Sequence, residues 1–189
     1  LSMDYKILSK MLANRLLPLV STLVHPDQNG FVPNRSTFLG TRRLCHIMGF
    51  TAKYKSLPVA ATLDIEKAFD TLDWDYLWVV LEEMGFGPCF MKWIKLLYSA
   101  PKARVKTGSY ISDSFAVQHS TRQGCPLSAI IFALAMEPLA CRFRLRGPEW
   151  GIPEGNVSHV ISLYADDAIV YIDDYRRTPP EVFELLETF

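Results

Sequence analysis

The chain has 189 residues, 49% of them hydrophobic and 12% aromatic, which excludes a disordered chain and allows one domain, or one and part of another, around a sizeable core. Twenty Lys and Arg balance twenty Asp and Glu, so net charge argues against tight autonomous binding to a polyanion. The balance hides an asymmetry: residues 88–148 carry nine Lys/Arg against two acids, residues 149–189 carry nine acids against two Arg, and residues 1–87 carry nine of each.

Residues 4–24 are predicted to form an amphipathic helix, with Ile7, Leu8, Met11, Leu12 and Leu16 at helical spacing and Lys6, Lys10 and Arg15 on other faces. The segment from His25 to Asn34 is dense in helix and strand breakers and reads as a loop. Ser36 is placed to cap a second helix running to about residue 54. Val59 to Leu63 reads as a short strand ending in the carboxylate of Asp64. Asp73 is expected to cap a helix through Leu81 with Gly85 as its stop, and Pro88 to open another through Tyr98. Residues 103–108 and 114–119 alternate like a hairpin around Gly108-Ser109-Tyr110. Pro126 opens a long apolar helix to about Leu145. His159 to Tyr164 and Ala168 to Ile172 read as paired strands with Ala165, Asp166 and Asp167 at the tip. A last helix follows the Pro179-Pro180 break. The order predicts an α+β fold, an antiparallel sheet covered by helices on one face.

Several function classes drop out. The longest apolar run, Ala129 to Met136, is far short of a membrane span, and the start lacks the basic and apolar regions of a secretory signal. Cys45, Cys89, Cys125 and Cys141 show neither close pairing nor zinc-finger spacing to His, so buried thiols in a reduced, intracellular protein are expected. His25, His46, His119 and His159 are scattered and receive no metal. The chain starts at Leu and stops within a helical pattern, which leads us to expect a piece of something longer.

Three segments carry chemistry. Crowded carboxylates repel unless a cation holds them, so Asp166 and Asp167 at a hairpin tip suggest a metal, although a polar turn explains them equally simply. Set beside that hairpin, the strand ending at Asp64 brings a third carboxylate to the same place. Together they outline a site for two divalent cations about 3.5–4 Å apart, as in-line phosphoryl transfer uses. Because consecutive strand side chains alternate faces, Asp166 is favoured over Asp167 as the bridging ligand. The basic middle next to this acidic end suits a polyanion track beside a metal cage, with ordinary solvated surface as the alternative. Thr121 to Ser128 forms a third signal: Gly124 permits close backbone approach, and Arg122 and Gln123 can contact phosphate and base or sugar.

Asp64-Ile65-Glu66-Lys67-Ala68-Phe69-Asp70, Arg122-Gln123-Gly124-Cys125-Pro126-Leu127-Ser128 and Tyr164-Ala165-Asp166-Asp167 stand in the order of reverse-transcriptase motifs A, B and C. More narrowly, the chain resembles the enzymes of non-LTR (LINE-type) retrotransposons. Lys6 to Leu16 and Asp27-Gln28-Asn29-Gly30-Phe31-Val32-Pro33 are similar to the fingers region of that group. The resemblance implies a right-hand polymerase palm with partial fingers and no thumb, divided as fingers 1–57 and palm 58–189. It implies an RNA-directed DNA polymerase acting on an RNA template, a DNA primer and dNTPs, with two Mg²⁺ ions for which Mn²⁺ can substitute. Asp64 and Asp166 would hold the ions, with Asp167 auxiliary and the Ile65 carbonyl adding an oxygen. Phe69 matches the steric gate against a ribose 2′-OH, while a core aromatic under the sheet is the alternative. Arg122, Gln123 and Gly124 would touch nucleotide and template, Arg35 would lie near the triphosphate, and Lys6, Lys10 and Arg15 would track template phosphate. Nuclear action is the corresponding expectation for location. A catalytically silent nucleic-acid-binding relic of the same fold is the alternative function. An RNA-templated RNA polymerase or group II intron maturase is a further one; Phe69 disfavours ribonucleotide use, and Ala68-Phe69-Asp70 with Arg122-Gln123-Gly124-Cys125-Pro126 resembles LINE elements more than maturases. Ala129 departs from the family, where a second Pro often follows the Ser at position 128.

Overall fold

A computed structural model describes residues 1–53, 57–122, 124–177 and 180–187. Helix α1 (Met3–Leu23) starts at Ser2, whose hydroxyl accepts from the Tyr5 N–H, and buries Leu12, Ala13, Leu16 and Val20 at helical spacing. Helix α2 (Thr37–Thr51) begins after Ser36 as expected, but the Ser36 side chain makes no capping bond. Strand β1 (Val59–Leu63) leads into the single turn α3 (Ala68–Thr71). Helix α4 (Trp74–Glu83) is capped by Asp73, which accepts from the Tyr76 N–H at 2.9 Å, and α5 (Pro88–Leu97) opens on its proline.

The expected hairpin in the basic middle is two small ladders. Strand β2 (Lys102–Ala103) pairs with β5 (Phe115–Ala116), and inside them β3 (Lys106–Thr107) pairs with β4 (Tyr110–Ile111) around Gly108-Ser109. Helix α6 (Ser128–Trp150) runs farther than sequence suggested, through Pro138 and Pro148. The single strand expected from His159 to Tyr164 is divided at Val160. His159 ends β7 (Val157–His159), which starts before the expected strand and pairs with an unforeseen one, β6 (Ile152–Glu154), and the remainder is β8 (Ile161–Tyr164). Strand β9 (Asp167–Ile172) and helix α7 (Pro180–Glu187) complete the described chain.

The central sheet is antiparallel, in the order β1-β9-β8. Ala168, Val170 and Ile172 on β9 face the main core, and Ile169 and Tyr171 face the other way, as a period of two requires. The main core is built on α6, whose residues Ile130 to Met136 are all buried, the pattern of a helix enclosed on every side. Each fully buried Leu, Ile or Phe of this helix contributes about 1.5–3 kcal/mol of apolar burial. Helix α1 shares this core, so residues 1–57 and 58–189 do not have separate interiors. On the opposite face Ile47 and Leu44 of α2 meet Tyr171 and Ile169 in a smaller cluster.

The expectation of buried thiols holds for Cys125 alone; Cys45, Cys89 and Cys141 are exposed. They occupy solvent-facing turns of α2, α5 and α6, where a helix tolerates a small side chain of either character. Among the described residues, no helix is long and apolar enough to cross a membrane.

Candidate active site

The last rung of the β8–β9 ladder pairs Tyr164 with Asp167, which leaves Ala165 and Asp166 as a two-residue turn. Ala165 is buried and has φ +59°, at the position that such turns commonly give to Gly. A non-glycine residue in that region costs of order 1–3 kcal/mol, so surrounding structure must hold it there. Asp166 is half-buried at the turn, and Asp167 is exposed at the start of β9. The alternation argument for preferring Asp166 therefore does not apply, because Asp166 lies in the turn and only Asp167 in the strand.

Strand β1 runs beside β9 with Leu63 opposite Ala168. One further step of that register sets Asp64, exposed, opposite Asp167 and next to the turn. Sequence positions 64 and 166–167 are thus brought together at one end of the sheet. Among the described residues none of the three carboxylates has a Lys, Arg or His within ion-pair distance. Nor do three His, Cys, Asp or Glu side chains converge into a ready-made cage there. Hard oxygen donors at adjacent strand ends, without a competing protein cation, fit a divalent ion such as Mg²⁺ in donor chemistry. The Ile65 carbonyl accepts from the Ala68 N–H at 3.2 Å and keeps its second lone pair.

Just beyond Asp64, Lys67 has φ +52° and turns the chain into α3. This places Phe69, half-buried, between two rings. Phe132 of α6 stacks on it at 4.2 Å between centroids, and Phe31 meets it edge-on at 6.1 Å. One side of the ring is packed, as the core-aromatic reading expects, and the residue keeps some exposed surface. The Phe69 carbonyl accepts from the Thr121 N–H at 2.7 Å, and the Leu72 carbonyl from the Ser120 N–H at 3.0 Å. These bonds stitch the Thr121 to Ser128 segment to the turn carrying Phe69.

Within that segment the Arg122 guanidinium lies over the Tyr5 ring, 4.6 Å from its centroid. Burial, reinforced by the neighbouring Cys125, pushes the Tyr5 phenol well above its ordinary range. Gly124 has φ +76° and no neighbour that a side chain would strike, so its backbone conformation is what calls for Gly. Gln123 lies outside the described residues.

Lys6, Lys10 and Arg15 are exposed along α1. Arg35 has a different task from the triphosphate contact expected of it. Its guanidinium donates to the carbonyls of His25 (2.6 Å), Gln28 (2.8 Å), Val24 (3.0 Å) and Ser21 (3.3 Å), tying the end of α1 to the following loop. These four bonds occupy four of the five guanidinium donors. Burial lowers its pKa from the ordinary arginine value.

Sequence reasoning treated the loop after α1 only as a fingers-like segment, yet it reaches the carboxylate turn. Leu163 donates its N–H to the Asp27 carbonyl and accepts from the Asn29 N–H, both at 2.8 Å. Asp27, almost fully buried, is paired with Arg43 and Arg144, and Arg144 also with Glu137. Also missed was a junction on the other face of the sheet: Glu154 receives both His159 (2.7 Å) and His46 (2.9 Å).

The model of the family described as reverse transcriptase (RNA-dependent DNA polymerase) matches residues 1–189. The transposon TX1 uncharacterized 149 kDa protein of Xenopus laevis is 35% identical over 174 residues, 92% of this chain and 13% of that protein. The Pol polyprotein of the type-2 retrotransposable element R2DM of Drosophila melanogaster is 26% identical over 88% of this chain and 15% of its own length. That of the type-1 retrotransposable element R2 of Popillia japonica is 25% identical over 89% of this chain and 24% of its own. The chain therefore spans less than a quarter of these relatives. An apo telomerase structure from Candida tropicalis superimposes with a TM-score of 0.61 over 97% of this chain and 36% of that one, at 13% identity, a likeness of fold. The chain belongs to the reverse transcriptase (RNA-dependent DNA polymerase) family, and these relatives of it are proteins of transposable elements.

Proposed function

We propose that this chain is the fingers-and-palm part of an RNA-directed DNA polymerase that adds dNTPs to a primer 3′-OH under the direction of an RNA template. The observation that carries the reading is the β1–β9 register, which brings Asp64 to the Tyr164–Asp167 turn with no protein cation among the described residues to neutralise the carboxylates. Residues 1–57 would supply part of the fingers and residues 58–189 the palm. Asp64, Asp166 and Asp167 would hold two Mg²⁺ ions, with the Ile65 carbonyl as a further oxygen, and Mn²⁺ could replace them. When bound, such ions lower the pKa of the primer hydroxyl and neutralise charge on the departing pyrophosphate.

The protein's own part is positioning. Phe69, backed by Phe132, would fill the space of a ribose 2′-OH and so favour deoxynucleotides. Arg122 and Gly124, in the segment leading into α6, and Gln123 with them in sequence would contact nucleotide and template. Exposed Lys6, Lys10 and Arg15 would follow template phosphate, while base pairing rather than side chains would read sequence.

Primer extension on poly(rA)/oligo(dT) with Mg²⁺ tests the proposal, on this chain and on a version carrying more of the parent protein at both ends. We expect weak extension by the first and robust extension by the second, abolished in both by Asp64→Ala or Asp166→Ala. Inactivity of the longer protein, with metal binding indifferent to Asp166→Ala, would leave the silent-relic reading in its place.

A further inference from the structure

We propose that Gln28 is a positioning residue: its side-chain amide clamps the Ala165–Asp166 turn in the one shape that presents the Asp166 carboxylate beside Asp64. Gln28 is 1% exposed, although it lies in a loop whose polar composition suggests solvent. Its Oε1 accepts from the Ala165 N–H at 2.9 Å and from the Gly30 N–H at 2.8 Å, and its Nε2 donates to the Ala165 carbonyl at 3.3 Å. Both polar groups of Ala165, the residue at φ +59°, thus bind one side chain.

The backbone of the loop is shaped around this contact. Gln28 forms a parallel bridge with Leu163, flanked by the two bonds between Leu163 and residues 27 and 29. Gly30 lies so close behind the turn that a Cβ there would sit 2.2 Å from the Ala165 nitrogen, and no side chain fits. Arg35 holds the Gln28 carbonyl, while Arg43 and Arg144 hold Asp27, so the clamp is anchored in α2 and α6.

The residue type follows from chemistry. A two-residue turn with Gly first would keep positive φ unaided, and this chain has Ala. Gln alone among side chains of this length both accepts from the N–H groups and donates to the carbonyl without burying a charge. Leu would leave three backbone groups unpaired in the interior. Glu would keep the acceptor, lose the donor and bring a fourth carboxylate close to three others.

This inference rests on the metal role proposed for Asp166, and its test separates the two. Mn²⁺ affinity of the chain is read by electron paramagnetic resonance, and amide exchange of the segment 163–167 by mass spectrometry, for Gln28→Leu, Gln28→Glu and Gln28→Leu with Ala165→Gly. Both single variants are expected to weaken Mn²⁺ binding about tenfold, with faster exchange at Ala165, and Gly at position 165 to restore the affinity because it adopts positive φ without the clamp. A rescue of this kind would not follow from loss of general stability. If Gln28→Leu proves too unstable to purify, Gln28→Glu with and without Ala165→Gly carries the same comparison. Unchanged Ala165 exchange, unchanged Mn²⁺ affinity or failure of the Gly rescue overturns the clamp. Wild-type Mn²⁺ binding that survives Asp166→Ala instead sinks the metal reading, and the exchange comparison then decides the clamp alone.

Discussion

Phe69 lies where a packed aromatic and a nucleotide-facing aromatic are hard to tell apart by sequence, and in the structure it packs on Phe132 while keeping some exposed surface. Phe132 supports one face of the ring at 4.2 Å, so truncating Phe69 opens a void above α6 as well as removing bulk. Phe69→Ala is expected to relax discrimination against ribonucleotides by roughly tenfold or more, since a hydrophobic wall excludes an added hydroxyl only modestly. An unchanged ratio of dNTP to rNTP incorporation would remove the gate assignment. Phe31→Ala, which leaves the stacked pair intact, should give a smaller change in the same direction. Glu154 offers a residue-scale pH effect. Hydrogen bonds from His159 and His46 hold its carboxyl below the ordinary carboxylate range. A carboxyl depressed in the folded state contributes stability above its unfolded pKa and loses it as pH falls through the folded value. Melting temperatures of the wild type should therefore drop more steeply than those of Glu154→Gln on acidification below about pH 4.3, the ordinary Glu value. Parallel curves would show that the junction does not couple to folding.

Helices α1, α4 and α5 were legible because each is announced locally: Asp73 caps α4, Pro88 opens α5, and the apolar spacing of α1 fixes its buried face. The strands around Val160 were not. From Val157 to Leu163 no Gly or Pro marks a break, and the division at Val160 depends on β6, whose Ile152-Pro153-Glu154 has no strand signature and contains a proline. The helix α6 likewise passes Leu145 because tertiary packing of Phe143 and Trp150 outweighs what Gly147 and Pro148 suggest alone. Between elements, Tyr76 of α4 donates its hydroxyl to the Ala135 carbonyl of α6 at 2.7 Å. Burial pushes its phenol up to about 12. A pKa raised on folding means that the stabilisation is complete below the ordinary value near 10 and disappears as pH rises through about 12. Tyr76→Phe should cost about 0.5–1.5 kcal/mol at neutral pH. It should also blunt the loss of stability in alkali. Denaturant titrations at pH 8 and in alkali measure both, and equal slopes for the two proteins would refute the coupling of α4 to α6 through this hydroxyl.

At the scale of the molecule, the carboxylates of motifs A and C were readable because each stands beside a strand, and their meeting needs only one antiparallel register. The support behind them was not readable. Asp27 and Gln28 contact residues more than 130 positions away in the turn and more than 110 away in α6, and a polar loop gives no sign that it will be buried. That support joins four parts of the fold. Asp27, 5% exposed, pairs with Arg43 of α2 and Arg144 of α6, and its carbonyl holds β8 at Leu163. Removing one member of a buried ion group leaves the others charged and unpaired, which costs more than the group contributes when complete. Asp27→Asn, which keeps the shape and deletes the charge, is expected to lose about 3 kcal/mol, the lower end for a broken buried pair because both arginines keep some exposure. In a domain of this size that lowers Tm by roughly 6–12 °C. Amide exchange should rise at Leu163 more than in α4 or α5, because the loop, not the helical core, is released. Arg43→Met placed on top of Asp27→Asn should recover part of the loss, since it removes a cation that has lost its carboxylate. Additive effects of the two substitutions, or a Tm for Asp27→Asn within a degree or so of the wild type, would mean that the arginines find water or other partners and that the loop is held by its backbone bonds alone.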